Sequence, residues 1–551
     1  MKRFIFALVV LILGIMTVAG CSQPATSPAT TSPAKTIPVP PPTTAEKPAV
    51  PAAATYQIPD KYAPKPEKYG GILKLGGLAI PSSFGVPWLV RQGDRGASTM
   101  ALEWLIRRGE QPGTLEGRLA TSWDLAPDNS SYTFHLRKDV KFHDGTDFNA
   151  QAVKFNFDKC IETKRPQFKD VKSIDVVDDY TVRVNIANWN SMFILNFGSD
   201  SDPALIMSPA SYQKNGEAWA LTHPVGTGPY KVKDYKDKTY LKWERNENYW
   251  EKGVPYLDGV ETVAIPDYLT MVASLKSGEI QGAGIDFITA KQIQSDTNFR
   301  TWVSFNNLGV ALTMNEKDPT SVWSNKKMRQ ALEYAIDKEK ICKSLGSGFY
   351  SPVYEVIRGI HGAGKPDTVP RTYDPAKAKQ LMTEAGFPQG VKFTLNYSST
   401  YGAKDFLVAM QANLKDVGIN MELVPMDPAT YNQLGTQPTK GNDMRLETVR
   451  GDPLYPLVRV IEDLSENTMY FPGAVRPAGF QQLLTDAMKM KDPAQIIAAC
   501  EKMEKLAYED VMILSLWTNP MLSVMNVKVQ DADSVYGQVP YSWYMYTWFK
   551  K

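Results

Sequence analysis

The chain has 551 residues, of which 43% are hydrophobic and 22% charged, a composition typical of a folded globular protein. Its 61 Lys and Arg residues nearly balance its 59 Asp and Glu residues, which leaves a net charge of +2. This balance excludes a broad basic surface of the kind that binds nucleic acid or anionic lipid. We therefore expect no nucleic-acid partner.

The N-terminus has the pattern of an export signal. Lys2 and Arg3 precede an apolar run at 4–16, and small residues then lead to Cys21. A Cys directly after a small-residue cleavage site resembles the lipobox of bacterial lipoproteins. We interpret 1–20 as a signal peptide and Cys21 as the lipidated residue, so that the protein is anchored at the outer face of the cell membrane. The alternatives are an uncleaved anchor helix and an ordinary signal peptide.

The segment 21–66 is rich in Pro, Ala, Thr and Ser and has almost no large apolar residue, so it predicts a disordered tether. The remaining residues are too many for one ordinary core and enough for two or three lobes. No second apolar stretch is long enough to span a bilayer. The expected body is globular, with its membrane contact at the N-terminal lipid alone.

The stretch 132–162 predicts a strand, a turn and a helix. Apolar residues alternate over 132–137, and Val140 and Phe142 extend the pattern. Asn149 is placed to cap the helix that follows. His143 has no partner at metal-ligand spacing, and Cys160 continues the apolar stripe of the helix, so both are interpreted as structural.

Glycine-rich turns can hold phosphate groups, but Pro229 and Tyr230 after Gly226 and Gly228 favour a strand over a nucleotide-binding turn. The widely spaced Cys160, Cys342 and Cys500 form no zinc or redox pattern. With four histidines and no catalytic signature motif, the chain gives no reason to expect catalysis, a metal or a cofactor.

The second half alternates helices and strands. The spacing from Met328 to Ile336 predicts one apolar helical face, with Arg329, Glu333 and Asp337 on the opposite, polar face. Asp374 and Pro375 predict the start of a second helix that ends at Gly386. A strand at 392–397, a helix at 407–417 and a strand at 419–423 predict a βαβ unit.

Together these blocks resemble the solute-binding proteins of ABC importers, specifically the family 5 proteins that take up peptides, nickel complexes and related solutes. The resemblance runs from about residue 70 to about residue 517. It is carried by the ordered segments LATSW (119–123), YTFHLR (132–137), VKFHDG (140–145), GTGPY (226–230), NYW (248–250), RQAL (329–332), AID (335–337) and EAG (384–386).

The resemblance implies an α/β, two-lobed periplasmic-binding-protein type II (Venus-flytrap) fold with an inserted subdomain. The predicted hinges lie near 282–284 and 513–517. The implied domains are lobe I from 67–100, 197–284 and 514–551, the inserted subdomain at 101–196, and lobe II at 285–513.

The resemblance also implies that the protein binds and delivers a ligand without chemical conversion. Its expected partners are a short peptide or other small molecule, enclosed between the lobes, and the permease and ATPase subunits of an importer. We expect a monomer with no cofactor.

Four residues are candidate ligand contacts. Peptide binders of this family hold the peptide α-amine with an Asp in a stretch that resembles Arg450-Gly451-Asp452-Pro453. Asp452 is therefore the candidate amine ligand, with a plain Asp-Pro turn as the alternative. Arg450 is a candidate carboxylate ligand or a surface ion pair. Trp88 and Trp517 are candidate cleft walls, although large aromatic residues are more often core.

Other functions remain open at this stage. A nickel chelate or another anionic solute is the second ligand class, because Arg445, Arg450 and Arg459 supply positive charge. No His follows His361, which disfavours direct metal ligation from lobe II. From different classes, a sensor that presents its ligand to a receptor and a secreted hydrolase are the remaining alternatives.

Overall fold

The chain was analysed as a computed structural model that describes residues 62–90, 94–109, 113–199, 201–305, 308–360, 369–398, 404–434, 437–466, 468, 471–532 and 544–550. These residues belong to one compact unit, Val50–Lys551. The predicted signal peptide at 1–20, the lipidation site Cys21 and nearly all of the tether at 21–66 lie outside them. Among the described residues, no helix combines the length and apolarity needed to cross a bilayer.

The secondary structure mixes strands and helices throughout. The strands are β1 (Ile72–Gly77), β2 (Ile106–Arg108), β3 (Leu115–Gly117), β4 (Ala120–Leu125), β5 (Ser131–Leu136), β6 (Val171–Asp178), β7 (Thr181–Ile186), β8 (Tyr230–Lys236), β9 (Tyr240–Arg245), β10 (Gly259–Ala264), β11 (Gly282–Ile285), β12 (Phe299–Phe305), β13 (Leu308–Thr313), β14 (Val391–Ser398), β15 (Ile419–Met426), β16 (Met444–Arg450), β17 (Leu514–Thr518), β18 (Met521–Asn526), β19 (Val529–Gln530) and β20 (Trp548–Phe549). The helices are α1 (Arg95–Ala101), α2 (Ala150–Glu162), α3 (Pro209–Asn215), α4 (Glu217–Ala220), α5 (Tyr268–Ser277), α6 (Phe287–Ala290), α7 (Lys326–Tyr334), α8 (Lys338–Leu345), α9 (Pro375–Glu384), α10 (Lys404–Asp416), α11 (Pro428–Leu434), α12 (Pro456–Arg459), α13 (Phe480–Ala487) and α14 (Pro493–Asp510).

The largest sheet has seven strands in the order β12, β18, β11, β1, β10, β9, β8. At its centre β1 runs parallel to both β10 and β11, and the other neighbours are antiparallel. The sheet therefore joins strands from both ends of the described chain. Buried residues of β1, β9 and β10, including Leu73, Trp243 and Val260, form its core.

A four-stranded antiparallel sheet, in the order β4, β5, β7, β6, is built from residues 120–186 and has α2 packed against it. The predicted cap is confirmed, because the Asn149 side chain accepts the backbone N–H of Ala152 at 3.1 Å. The predicted extension of the strand through Val140 and Phe142 is wrong. These two side chains are buried, but the strand ends at Leu136 and Asp139 has a φ of 60°, which extended backbone cannot accommodate.

A five-stranded sheet has the order β15, β14, β16, β13, β17. The predicted βαβ unit is confirmed, since β14 and β15 are parallel neighbours joined by α10. In the same sheet β13 is antiparallel to both β16 and β17. The ends of β16 and β13 meet where Arg450 pairs with Leu308, and the candidate site begins there.

The chain passes twice between the seven-stranded and five-stranded sheets. It leaves β12 at Phe305 and enters β13 at Leu308, and it leaves β17 at Thr518 and enters β18 at Met521. The predicted hinge at 282–284 lies within β11 of the seven-stranded sheet. The predicted hinge at 513–517 overlaps β17 and directly precedes the second passage.

Helix α9 starts as predicted, with the Asp374 side chain accepting the backbone N–H of Lys377 at 2.9 Å. The prediction for α7 is partly wrong. This helix ends at Tyr334, and Asp337 caps α8 rather than continuing the polar face of α7. Arg329 and Glu333 are nevertheless buried, since Asp510 and Arg371, which are distant in sequence, neutralise their charges.

Cys160, Cys342 and Cys500 are free and buried. The Cys160 thiol lies 3.0 Å from the Pro203 carbonyl oxygen, and burial raises its pKa. The interpretation of Cys160 as a buried small hydrophobe is confirmed.

Candidate functional site

The candidate site lies in the loop between β16 and α12, around Asp452. The Asp452 side chain is 5% exposed. Its Oδ1 accepts the backbone N–H groups of Leu454 at 3.2 Å and Tyr455 at 2.8 Å. These contacts form an Asp-Pro turn that leads into α12, which begins at Pro456. Asp452 therefore shapes the loop as well as contributing a negative charge.

A second charged residue meets Asp452 from a different part of the chain. Arg108, the last residue of β2, donates from Nη1 to Asp452 Oδ1 at 2.7 Å, although the two residues are 344 positions apart. The Arg108 guanidinium also lies over the Tyr455 ring, 4.8 Å from its centroid. Sequence reasoning missed Arg108, because nothing local distinguishes it from Arg107.

The same two segments are joined by further contacts. The Gly113 N–H donates to the Leu454 carbonyl at 2.9 Å, and the Tyr455 hydroxyl donates to the Thr114 carbonyl at 2.5 Å. Leu454 and Tyr455 belong to the apolar cluster of the four-stranded sheet. A second contact joins the Ser191 N–H to the Met488 carbonyl at 2.8 Å. Residues from 108–191 thus meet residues from 452–488 at two places.

Arg450, the second candidate, lies in a cluster of four charged side chains. Its Nη2 is 2.7 Å from Asp463 Oδ1 and 3.3 Å from Glu462 Oε2, and Arg459 also contacts Glu462 at 2.8 Å. Asp463 is 3% exposed, and its Oδ2 has no hydrogen-bond partner among the residues that the structure describes. The charge of Arg450 is therefore balanced by acidic side chains of its own segment.

Trp88 and Trp517 are packed in cores. Trp88 is 1% exposed and makes T-shaped contacts with Phe155 and Tyr212. Trp517 is fully buried, with its ring centroid 5.2 Å from that of Phe406. Neither ring presents a face to solvent. Their role as cleft walls stays a prediction, and the contacts that they make are those of packing.

Arg358 is a third arginine near Asp452 that sequence reasoning did not select. Its carbonyl accepts the Asp452 N–H at 3.2 Å, and burial lowers the pKa of its guanidinium. Gly309 makes room for it, because a Cβ at Gly309 would lie 3.1 Å from Arg358 Nη1. The signal in the sequence was weak, since Arg358 is close to Asp452 only in the folded chain.

Residues of the segments GTGPY (226–230) and NYW (248–250) converge on one buried carboxylate, Glu103. Glu103 Oε1 lies 2.9 Å from Arg118 Nη2 and accepts the Tyr249 hydroxyl at 2.8 Å. Glu103 Oε2 accepts Thr227 Oγ1 and Trp250 Nε1, both at 2.8 Å. A cavity of about 20 Å³ beside this network has room for one water. The network explains these blocks as structural.

His143 is also structural. Its Nε2 lies 2.9 Å from the Gly228 carbonyl, which fixes the proton on that nitrogen, and its Nδ1 faces the Gly226 N–H at 3.4 Å. Burial lowers the pKa of His143 to about 4. Across the described ranges, no group of three or more His, Cys, Asp or Glu side chains is arranged to hold a metal ion.

Comparisons with known proteins identify the family. Residues 114–453 match the model of "Bacterial extracellular solute-binding proteins, family 5 Middle". The glutathione-binding protein GsiB of Pectobacterium atrosepticum is 35% identical over 317 residues, 56% of this chain and 60% of that protein. The chain thus spans less than two thirds of the length of the curated relatives that it matches.

Solved structures have the same fold. The binding protein DppA of Helicobacter pylori, in complex with the peptide STSA, is similar with a TM-score of 0.69 and 25% identity over 88% of this chain and 99% of that chain. NikZ of Campylobacter jejuni, in complex with Ni(L-His), has a TM-score of 0.66 and 22% identity over 84% and 95%. These matches confirm the two-lobed α/β fold of type II periplasmic binding proteins.

The family model covers more than half of the chain, and it describes proteins that bind solutes and are not enzymes. The protein therefore belongs to family 5 of the bacterial extracellular solute-binding proteins.

Proposed function

We propose that the protein is the extracytoplasmic solute-binding component of an ABC importer, and that it captures short peptides, glutathione among them, for a membrane permease. The observation that carries this proposal is the Arg108–Asp452 pair, which brings a cation and an anion together from two segments of the chain. A peptide with free termini carries one charge of each sign. Such a ligand can therefore replace the ion pair between Arg108 and Asp452 with two ion pairs to the ligand, one at each residue.

Asp452 is the proposed partner of the peptide ammonium. An ammonium taken out of water requires a carboxylate, and Asp452 is buried at the end of β16 where residues of β2 approach it. The named ligands of GsiB and of DppA, glutathione and a tetrapeptide, support the peptide class. Arg450 is the less direct candidate, because Glu462 and Asp463 already balance its charge.

The two passages between sheets are the proposed hinges. The pairing of β12 with β18 in the seven-stranded sheet supports a first lobe that continues to Phe305 and resumes at Met521. The second lobe then contains the five-stranded sheet and α7 to α14. Rotation about the two short connections would separate Arg108 from Asp452 and open the cleft.

The lipid anchor is a separate part of the proposal. Cleavage before Cys21 and lipidation of its thiol would hold the body at the outer face of the membrane. Labelling of cells with a radioactive or alkyne-tagged fatty acid tests this directly. Incorporation into the wild-type protein that is absent from Cys21→Ser supports the anchor, and equal labelling of both contradicts it.

The ligand proposal is tested by native mass spectrometry of the protein purified without denaturation, followed by calorimetric titration with glutathione and Ser-Thr-Ser-Ala. A peptide in the cleft, bound by the wild type and at least about tenfold more weakly by Asp452→Asn, supports the proposal. Asn keeps the oxygen that accepts the Leu454 and Tyr455 N–H groups and removes the charge.

The other outcomes identify the alternatives. A bound nickel chelate or another non-peptide solute replaces the peptide class and leaves the family unchanged. Turnover of peptides or esters identifies a hydrolase. Binding without uptake in a transport assay with the permease, together with a response of a membrane receptor, identifies a sensor.

A further inference from the structure

The loop that carries Asp452 lies against the segment 355–359. The Asp452 N–H donates to the Arg358 carbonyl at 3.2 Å. Gly359 has a φ of 81°, and a Cβ at this position would lie only 3.1 Å from the Pro453 nitrogen. The two backbones are therefore in contact, and glycine permits the close approach. The position of the Asp452 backbone thus depends on the position of the segment 355–359.

One buried carboxylate of α14 holds this segment. Glu504 is 2% exposed, and its two oxygens contact two consecutive backbone groups. Oε1 accepts the Val356 N–H at 2.9 Å, and Oε2 accepts the Ile357 N–H at 2.6 Å. The side chains of Val356 and Ile357 belong to the same apolar cluster as Met503 of α14. A single side chain therefore fixes the backbone directly before Arg358.

The number of acceptors that Glu504 offers depends on its charge. A carboxylate has two acceptor oxygens, whereas a carboxylic acid has one carbonyl oxygen and one hydroxyl group. Protonation therefore leaves one of the two buried N–H groups, of Val356 or of Ile357, with a weaker acceptor. Burial raises the pKa of Glu504 to about 7, and the two N–H groups oppose this shift. Both forms of Glu504 are thus populated near neutral pH.

The charges around Glu504 do not replace the two N–H groups. Besides burial, Glu355 of the segment and Glu333 of α7 raise the pKa of Glu504, because both are acidic. Glu333 is paired with Lys338 at 3.3 Å and with Arg371 at 2.5 Å. The contacts that favour the negative charge of Glu504 are those with the segment 355–359. The charged residues of α12 and α13, the helices that pack against α14, are Arg459 and Asp486.

We infer that Glu504 is a positioning residue for the ligand site, because its ionised carboxylate holds the segment 355–359 and this segment holds the backbone of Asp452. The inference rests on the proposed function, in which Asp452 contacts the ligand. Ligand affinity is therefore expected to rise with pH as Glu504 ionises. A residue that only stabilised the folded protein would leave the affinity of the folded protein independent of pH.

The test compares the wild type with Glu504→Gln by calorimetric titration of the full-length chain with glutathione and Ser-Thr-Ser-Ala at pH 5.5 and pH 8. Gln resembles the neutral acid, because it also has one acceptor oxygen. At pH 5.5 the two proteins are expected to bind within about twofold of each other, and at pH 8 the wild type is expected to bind at least about threefold more tightly. The ratio of the two affinities cancels the titration of the peptide itself.

Glu501→Gln is the matched control, since Glu501 is an exposed residue of the same helix, and its affinity is expected to equal that of the wild type at both pH values. Hydrogen exchange followed by mass spectrometry gives a second measurement. Protection of the backbone N–H groups in the segment 355–359 is expected to fall at pH 8 in Glu504→Gln and to stay unchanged in Glu501→Gln.

Two results overturn the inference and leave the peptide function standing. One is a ratio of wild-type to Glu504→Gln affinity that is the same at pH 5.5 and pH 8. The other is unchanged protection of the segment 355–359 in Glu504→Gln. If the wild type binds neither peptide at either pH, the peptide function fails and the role of Glu504 in ligand binding fails with it.

Discussion

Replacement of Glu103 with Gln tests whether the buried network around this carboxylate stabilises the folded protein. Four donors converge on the two oxygens of Glu103, namely Arg118 Nη2, the Tyr249 hydroxyl, Thr227 Oγ1 and Trp250 Nε1. A Gln side chain has one carbonyl oxygen and one NH₂ group, so in either orientation the NH₂ faces one N–H donor and one hydroxyl. The hydroxyl can turn and accept from the NH₂, which leaves one N–H donor, of Arg118 or of Trp250, without this acceptor.

One buried donor left unsatisfied costs about 1–3 kcal/mol, which gives a loss of about 2 kcal/mol for Glu103→Gln. Arg118 keeps Glu251 at 2.9 Å, so its charge is not left uncompensated. The matched control is Glu116→Gln, which removes a partly exposed ion pair with Arg107 and is expected to cost at most about 1 kcal/mol.

Equilibrium unfolding in urea, followed by tryptophan fluorescence and by far-ultraviolet circular dichroism, measures both variants. The dependence of the unfolding free energy on urea concentration is expected to stay unchanged. The urea concentration at the midpoint of unfolding is expected to fall further for Glu103→Gln than for Glu116→Gln. Equal midpoints for the two variants would refute the reasoning, because the network would then contribute no more than a surface ion pair.

Three further predictions concern other parts of the fold. Burial raises the pKa of Glu504 to about 7, so the folded protein holds a proton that the unfolded chain releases above about pH 4.5. The free energy of unfolding should therefore fall by about 3 kcal/mol between pH 4.5 and 7. Glu504→Gln should remove this pH dependence in thermal or urea unfolding. Gly226→Ala places a Cβ 2.1 Å from the Ala101 carbonyl oxygen, whereas the Cβ of Gly284→Ala would lie 3.8 Å from its nearest neighbouring atom. Gly226→Ala should therefore lower the free energy of unfolding several times more than Gly284→Ala. Equal urea midpoints for the two variants would contradict this. Trp88→Phe should lower the melting temperature through lost packing and leave ligand affinity unchanged, whereas a tenfold loss of affinity at unchanged stability would identify a cleft wall.

The local elements were predictable because the residues that determine them lie within a few positions of one another. Asn149 caps α2 through the N–H of Ala152, and Asp374 caps α9 through the N–H of Lys377. The βαβ unit followed from alternation in two strands and a helical stripe between them. Each of these features depends on hydrogen bonds or burial patterns that a short window of sequence contains.

Long-range ion pairs were not predictable. Arg329 and Glu333 lie on the face of α7 that hydropathy alone assigns to solvent. In the fold, Arg329 pairs with Asp510 at 2.7 Å and Glu333 pairs with Arg371 at 2.5 Å. Charged side chains are buried when a partner is available, and neither partner can be inferred from the spacing within α7.

The candidate site likewise contains one residue that the sequence predicted and one that it did not. Asp452 could be selected because it lies in a short segment that resembles the amine-binding stretch of peptide binders. Arg108 could not, since its partner is 344 residues away and the neighbouring Arg107 has the same side chain with a different contact. The fold decides which of the two arginines reaches Asp452, through the alternation of β2.

The order of strands in the seven-stranded sheet has a consequence for biosynthesis. β18 lies between β12 and β11, so the sheet is incomplete until residues 521–526 are available. At about 5–20 residues per second, a ribosome needs roughly 20–90 s to reach β18 after it has made β1. Once β11 and β12 have been made, each keeps an unpaired edge until β18 is available, and the sheet cannot close. The seven-stranded sheet therefore cannot be completed before residues 521–526 have been synthesised, so its inner strand β11 waits for the last of its neighbours to be made.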